Sequence, residues 1–374
     1  MQEEAPPHPA VVLALTAAAI VGALGLLYVL TPPPLAPPGL PHFALEHAAP
    51  VGARPEGVYF DAQSGVLYVA NPGSRNISLV NATTFRVAGT IATGQPVRSL
   101  TLDSISGSLV GGSATTPNLT LVDPTTHTLA GTVGLREVAD ANGVEYDPST
   151  GQLFVVDAGD STLLTLDAAS YVVTARTALE EQPGGGEGFA INSTSHQIYF
   201  PDAGTNSVQV IDERTGVTVG NLSLPGTFGP TASFFDPWNA LTYFTMGGLS
   251  DHPGNRTDVV NLATGELVGT IPVAAGPAWS AYDPVRHLIY VTGADSSSVS
   301  VISDLNNSLV ATIRLPLGSE PSGIAVNLAT GVVYVAAIGL NELLEVQLIA
   351  SGSIPAPTGP LPVGGIFATP RWTD

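Results

Sequence analysis

The stretch GVLYVANPGSRNISLVNATT, Gly65–Thr84, decides the fold. It reads as an apolar alternating run, a polar loop, a second alternating run and a turn rich in Asn and Thr. The same order returns in HQIYFPDAGTNSVQVIDERT at His196–Thr215 and in HLIYVTGADSSSVSVISDLN at His287–Asn306. A phrase repeated at fixed distance marks a repeat architecture, in which no single unit buries its own apolar faces.

Working outward, an Asp or Asn closes a short apolar strand at Asp61, Asp103, Asp147, Asn192, Asp236, Asp283 and Asn327. Successive landmarks lie 42 to 47 residues apart, giving seven units. Each unit has a first strand (EGVYF, GVEYD, EGFAI, SGIAV) and a second (GVLYVA, GQLFVV, HQIYF, HLIYVT, GVVYVA). A third (ISLVN, LTLVD, VQVID) and a fourth (VAGTI, LAGTV, LVGTI) complete it. Four antiparallel strands in about 44 residues, seven times over, predict an all-β seven-bladed propeller spanning residues 42–350. Unit seven supplies three clear strands and then runs into Pro and Gly. Counting back from Asp61 places its missing fourth strand at Leu45–Ala49, expected to pair antiparallel with Glu345–Leu348. Residues 351–374 read as a Gly/Pro-rich tail.

Ahead of the repeats, residues 1–10 form a short acidic tail. Val11–Leu30 then gives twenty uncharged residues, long enough as a helix to cross the roughly 30 Å hydrocarbon core of a bilayer. The Pro-rich segment 31–41 links this span to the repeats. No Lys or Arg precedes the span and no small-residue cleavage site follows it, so it reads as a signal anchor and not a cleaved leader. Seven of the fifteen asparagines open an Asn-x-Ser/Thr triplet: Asn76, Asn81, Asn118, Asn192, Asn221, Asn255 and Asn306. That excess predicts glycan acceptors and a single-pass protein of the cytoplasmic membrane with its propeller outside the cell.

The repeat phrases LYVANPGSRNISLVNATT and IYVTGADSSSVSVI, with the Pro-x-Gly approach to the first strand at Pro55 and Pro321, resemble the YVTN repeat of surface-layer-type β-propellers. The resemblance covers about Leu45–Ile349. It implies the seven-bladed fold and a place on the cell surface, and it names no ligand.

Composition removes whole chemistries. The eleven basic residues are all Arg against 31 Asp and Glu, and a formal net charge of −20 would repel nucleic acid. With no Lys there is no phosphate-loop lysine and no Schiff base. With no Cys there is no thiolate nucleophile, disulfide or iron–sulfur cluster. Gly-x-Ser-x-Gly and His-Glu-x-x-His motifs are missing as well. The Gly-rich PGGGEGF at Pro183–Phe189 precedes a strand, so no helix N-terminus follows to receive a phosphate.

Five residues before each landmark stand Glu56, Arg98, Asn142, Glu187, Thr231, Ala278 and Ser322, expected to ring one mouth of the central channel. The second-to-third-strand loops open on the same side, bringing Asn71, Asp157 and Asp202. The long loop of unit five would add Asp251, His252 and Arg256. Oxygens converging there could bind a divalent cation such as calcium or present acids for hydrolysis, and no other cofactor is expected. The bland alternative is a rim whose charges face water. Two functional readings follow. One is a non-catalytic surface propeller that binds a surface protein or polysaccharide. The other is an extracytoplasmic hydrolase, lactonase-like or metal-assisted. A quinone-dependent dehydrogenase has only Trp279 near the mouth to stack a planar cofactor.

Overall fold

A computed structural model describes residues 41–180, 188–202, 205–223, 229–249 and 252–350. The expected anchor Val11–Leu30, its flanks and the tail 351–374 lie outside these residues. Among the described residues no helix is long and apolar enough to cross a membrane.

The strands form seven separate four-stranded antiparallel sheets, each ordered by chain position from first strand to fourth except at the closure. The first strands are Val58–Asp61, Gly143–Asp147 and their counterparts, and every landmark Asp or Asn is the last residue of one of them. Burial is highest in the second strands and lowest in the fourth. Leu288–Gly293 and Val332–Ala337, both second strands, are buried throughout. Fourth strands such as Glu266–Pro272 keep mainly their sixth residue from solvent. Strands covered on both faces therefore read as continuous apolar runs, and outer ones as mixed.

Among the described residues there are seven buried apolar clusters, one at each seam between consecutive blades. Leu67, Val69, Phe85, Tyr334, Ala336 and Leu343, for example, join blade 1 to blade 7. Phe85 stacks on Tyr334 with ring centroids 6.2 Å apart, and Phe60 packs on the same ring at 5.5 Å. The hydrophobic gain thus lies between units, as a repeat architecture demands.

Closure is achieved by the N-terminal strand. His42–Pro50 pairs antiparallel with Glu342–Ala350 as the outermost strand of blade 7. Leu45 faces Val346 and Ala49 faces Leu343, so the expected antiparallel pairing is present with its register about two residues nearer Glu342. Glu46 is skipped in this pairing. The same bulge recurs in the outer strand pair of the other blades, between Leu79 and Val80, for instance, and between Thr165 and Leu166. Such bulges strengthen the twist and blunt exposed edges against further pairing.

The propeller has two faces. Turns joining strands one to two and three to four share the first, here the turn face. Loops joining two to three and successive blades share the second, the loop face. On the turn face one device recurs: an Asp or Asn ends the strand and its side chain accepts the amide two residues on. Gln63 N to Asp61 is 2.9 Å, Thr83 N to Asn81 is 3.0 Å, Thr125 N to Asp123 is 2.8 Å and Thr194 N to Asn192 is 3.0 Å. Ser or Thr in the turn often bonds back, as Thr126 Oγ1 does to Asp123 at 2.9 Å. These bonds, the Thr125 amide foremost, hold Asp123 below the usual carboxylate range. Two of the seven Asn-x-Ser/Thr triplets, at Asn81 and Asn192, coincide with this turn and so have an architectural cause.

In unit five the sequence suggests a long loop. The structure instead extends the hairpin, with Leu241–Leu249 and His252–Asn261 paired as far as Leu249 opposite His252. This two-stranded ribbon is the extended end of the hairpin of blade 5. Asp251 lies outside the described residues.

Candidate functional site at the loop face

The residues five before each landmark do approach one another blade to blade. Ser99 Oγ donates to the Asn142 carbonyl at 2.7 Å, linking blades 2 and 3. Ser233 N donates to Gly188 O at 3.0 Å, linking blades 5 and 4. Gly57 and Gly323 are small of necessity: a Cβ on either would collide with the carbonyl oxygen of Arg98 or Glu56 on the next blade. Of the register residues, the structure brings Arg98 of blade 2 onto Glu56 of blade 1, and Glu187 lies outside the described residues.

Its side chains do not face water. Glu56 is 1% exposed and Arg98 3%, and Asn71, Asn142, Asp157 and Asp202 are buried as well. Arg98 Nε donates to Glu56 Oε2 in a short charge-assisted bond. Arg54, itself exposed, brings a second guanidinium to 3.7 Å from Glu56 Oε1. A solvated rim is thereby excluded for these positions.

Asp157 spends its oxygens on backbone. Oδ2 accepts Ala139 N at 3.1 Å, and Oδ1 accepts Asp140 N at 3.2 Å and Asp160 N at 3.3 Å. Asp140 returns the bond, its Oδ1 accepting Ala158 N at 3.0 Å. The pair clasps the loop entering blade 3 to the loop between its second and third strands. Burial, against the Ala158 amide and with repulsion from Asp157, pushes Asp140 above the usual carboxylate range; the Arg98 charge acts in the opposite sense. Asp140 is a member of the network that the register does not pick out. Its signal was an acid two residues before Asn142 in a segment without apolar alternation.

Asn71 Nδ2 donates to Val69 O at 3.0 Å, Asn76 Oδ1 at 2.9 Å and Ser78 Oγ at 3.0 Å. Asp202 Oδ1 accepts Thr205 N at 3.1 Å. Arg256, from the ribbon of blade 5, lies 3.4 Å from Asp258 of its own strand. Asn71 Oδ1, Trp279 Nε1, Ser319 Oγ and Ser322 Oγ are buried at this face without a partner among the described residues. Polar atoms buried in this way cost stability unless water or a small polar ligand meets them. The mouth is therefore suited to hold water or a small hydrogen-bonding group. Among the described residues no three His, Asp or Glu are arranged to hold a metal ion. Glu56 is neutralised by arginine and Asp157 is saturated by amides, so neither fits a calcium ligand as it stands.

No family model and no curated protein matches the chain. Solved structures match its fold. A streptogramin B lyase is 16% identical, with a TM-score of 0.67 over 82% of this chain and 98% of that one. A chain in the crystal structure of a mitotic checkpoint complex is also 16% identical, with a TM-score of 0.67 over 86% and 96%. Hydrazine synthase from Kuenenia stuttgartiensis is 14% identical, with a TM-score of 0.67 over 79% and 96%. At such identities the likeness establishes the propeller and nothing about its chemistry.

Proposed function

We propose that this chain is a non-catalytic binding propeller of the surface-layer type. Val11–Leu30 anchors it in the cytoplasmic membrane, and the blades stand outside the cell toward a surface protein or polysaccharide. The observation that carries this reading is the state of the loop-face acids. A hydrolytic site needs carboxylates free to take and give protons near a substrate. Here Glu56 is bonded to Arg98, and Asp157 accepts three backbone amides. The anchoring rests on the twenty uncharged residues and the asparagine triplets.

The test uses the full chain displayed on cells and the same chain purified in detergent. Co-sedimentation with isolated cell-surface polysaccharide, and no turnover of a lactone and ester panel with or without calcium, is the expected result. Turnover that Glu56→Gln abolishes would establish the hydrolase instead. Protease added to intact cells is expected to release the blades by cutting within residues 31–41; protection until lysis reverses the topology.

A further inference from the structure

At the landmark-plus-four position of each first turn the chain takes a left-handed conformation, and most blades place Gly there: Gly65, Gly107, Gly151 and Gly331. Two blades place histidine instead, His196 at φ 56° and His287 at φ 54°, although a side chain is strained in that region. The carbonyl of this residue accepts the amide of the residue just after the third strand. Ala82 and Ala168 fill that place opposite Gly65 and Gly151; Glu213 and Asp304 fill it opposite the two histidines. Histidine and acid thus appear together, twice, where blades 1 and 3 use Gly and Ala, blade 2 has Gly107 with Pro124 and blade 5 has Ala240 with Leu262.

Both acids are buried against the landmark Asp of the preceding blade. At the blade 3–4 seam, Glu213 Oε1 accepts Thr150 Oγ1 at 2.7 Å, and its Oε2 lies 3.3 Å from His196 Nδ1. Asp147 of blade 3 acts on Glu213 by side-chain contact and by its charge, and the Arg214 charge acts in the opposite sense. At the blade 5–6 seam, Asp304 Oδ2 accepts Tyr282 OH at 2.7 Å and lies 3.2 Å from His287 Nδ1. Buried Asp236 of blade 5 faces the same tyrosine; its Oδ1 accepts Trp238 N at 2.9 Å and its Oδ2 has no partner among the described residues. Tyr243, bonded to Asn239 and Asn307, closes the far side. Trp238, 62% exposed, lies edge-on over His287 with ring centroids 5.1 Å apart.

Other seams satisfy their landmark with a donor. Tyr171 OH of blade 3 donates to Asp103 of blade 2 at 3.1 Å, and Arg286 Nη1 donates to Asp283 within its own blade 6 turn at 2.8 Å while also reaching Leu328 O of blade 7 at 3.1 Å. Two buried carboxylates side by side have no such relief unless one carries a proton.

We propose that the blade 3–4 and blade 5–6 seams are proton-operated latches, each closed by a proton held between an acid pair and its histidine, so that the propeller is tight in acid and loosens as the medium turns alkaline. Burial first, and contact with Asp147 after it, pushes Glu213 up to about 8. Burial, against the Trp238 amide and with the Asp304 charge, pushes Asp236 up to about 6. A folded-state value raised above the unfolded one gives stability that is complete below the unfolded value and is lost as pH climbs through the folded one. The 5–6 latch therefore releases between about pH 4 and 6, and the 3–4 latch between about 4.5 and 8.

The experiment is thermal unfolding of the full chain in detergent from about pH 5 to about pH 9. The midpoint is expected to fall by several degrees as pH rises. Glu213→Gln should remove the portion of that fall above about pH 6, and Asp236→Asn the portion below it. A wild-type midpoint that is flat or rises, or a slope that both variants keep, overturns the proposal. Should a variant fail to fold, infrared difference spectra of the wild-type chain decide. The carbonyl band of a protonated carboxylic acid should be present at neutral pH and lost on alkalinisation, and its absence at neutral pH overturns the latch equally.

Discussion

The turn face and the loop face carry nearly the same number of strand connections and differ in how they are held. On the turn face the bends carry local bonds: Asn81, Asp123 and Asp212 bond amides two or three residues on and are partly open to water, and bonds between blades are added at buried acids such as Asp103 and Glu213. On the loop face the groups are buried; Asn71 and Asp157 bond within their own blade, and others bond between blades, as Arg98 of blade 2 does to Glu56 of blade 1. A local bond recurs wherever its short motif recurs. A bond between blades needs two different residues some forty positions apart, and each seam solves that problem separately.

Both faces depend on a closed ring, and the largest expected effect comes from opening it. A chain lacking residues 1–50 leaves Glu342–Ala350 with a bare edge and uncovers Leu343 and Val346. It should lose its cooperative melting transition or become insoluble; a midpoint equal to that of a chain starting at residue 40 would refute closure by His42–Pro50.

Next comes Arg98→Met, which strands the buried Glu56 carboxylate. The expected loss is about 3–5 kcal/mol by denaturant titration. A loss below ~1 kcal/mol would mean that Arg54 or water replaces the pair. Gly323→Ala should cost about 3 kcal/mol because its Cβ must push the Glu56 carbonyl away and force neighbouring blades apart.

On the turn face the same substitution at Gly65, which has φ 69° and open space around it, should cost only about 1 kcal/mol of backbone strain. Smallest is Asn81. Replacement by Ala should lose about 1 kcal/mol. Replacement by Asp, which serves in the equivalent turns at Asp123 and Asp212, should stay within about 0.5 kcal/mol of wild type while removing any glycan at that site. If the Asp variant is destabilised as much as the Ala variant, the turn depends on the side-chain amide and the two faces differ less than described.

The sequence by itself determined the blade count, the strand order within a blade, and the turn face. Period-two alternation and an Asp or Asn at each strand end are local properties, legible at Asp61 or Asp147 without knowledge of anything distant. It also determined that Leu45–Ala49 would be drawn into blade 7, since an unfinished blade leaves Leu343 and Val346 without cover. What the tertiary structure alone decided is which polar groups leave water. Glu56, Arg98 and Asp157 look like rim residues in the sequence because nothing in their neighbours tells that another blade will close over them. Asp140, His196 and Glu213 acquire their roles the same way. Burial is set by the approach of units far apart in the chain, and the cost of a buried charge is felt only once that approach has been made.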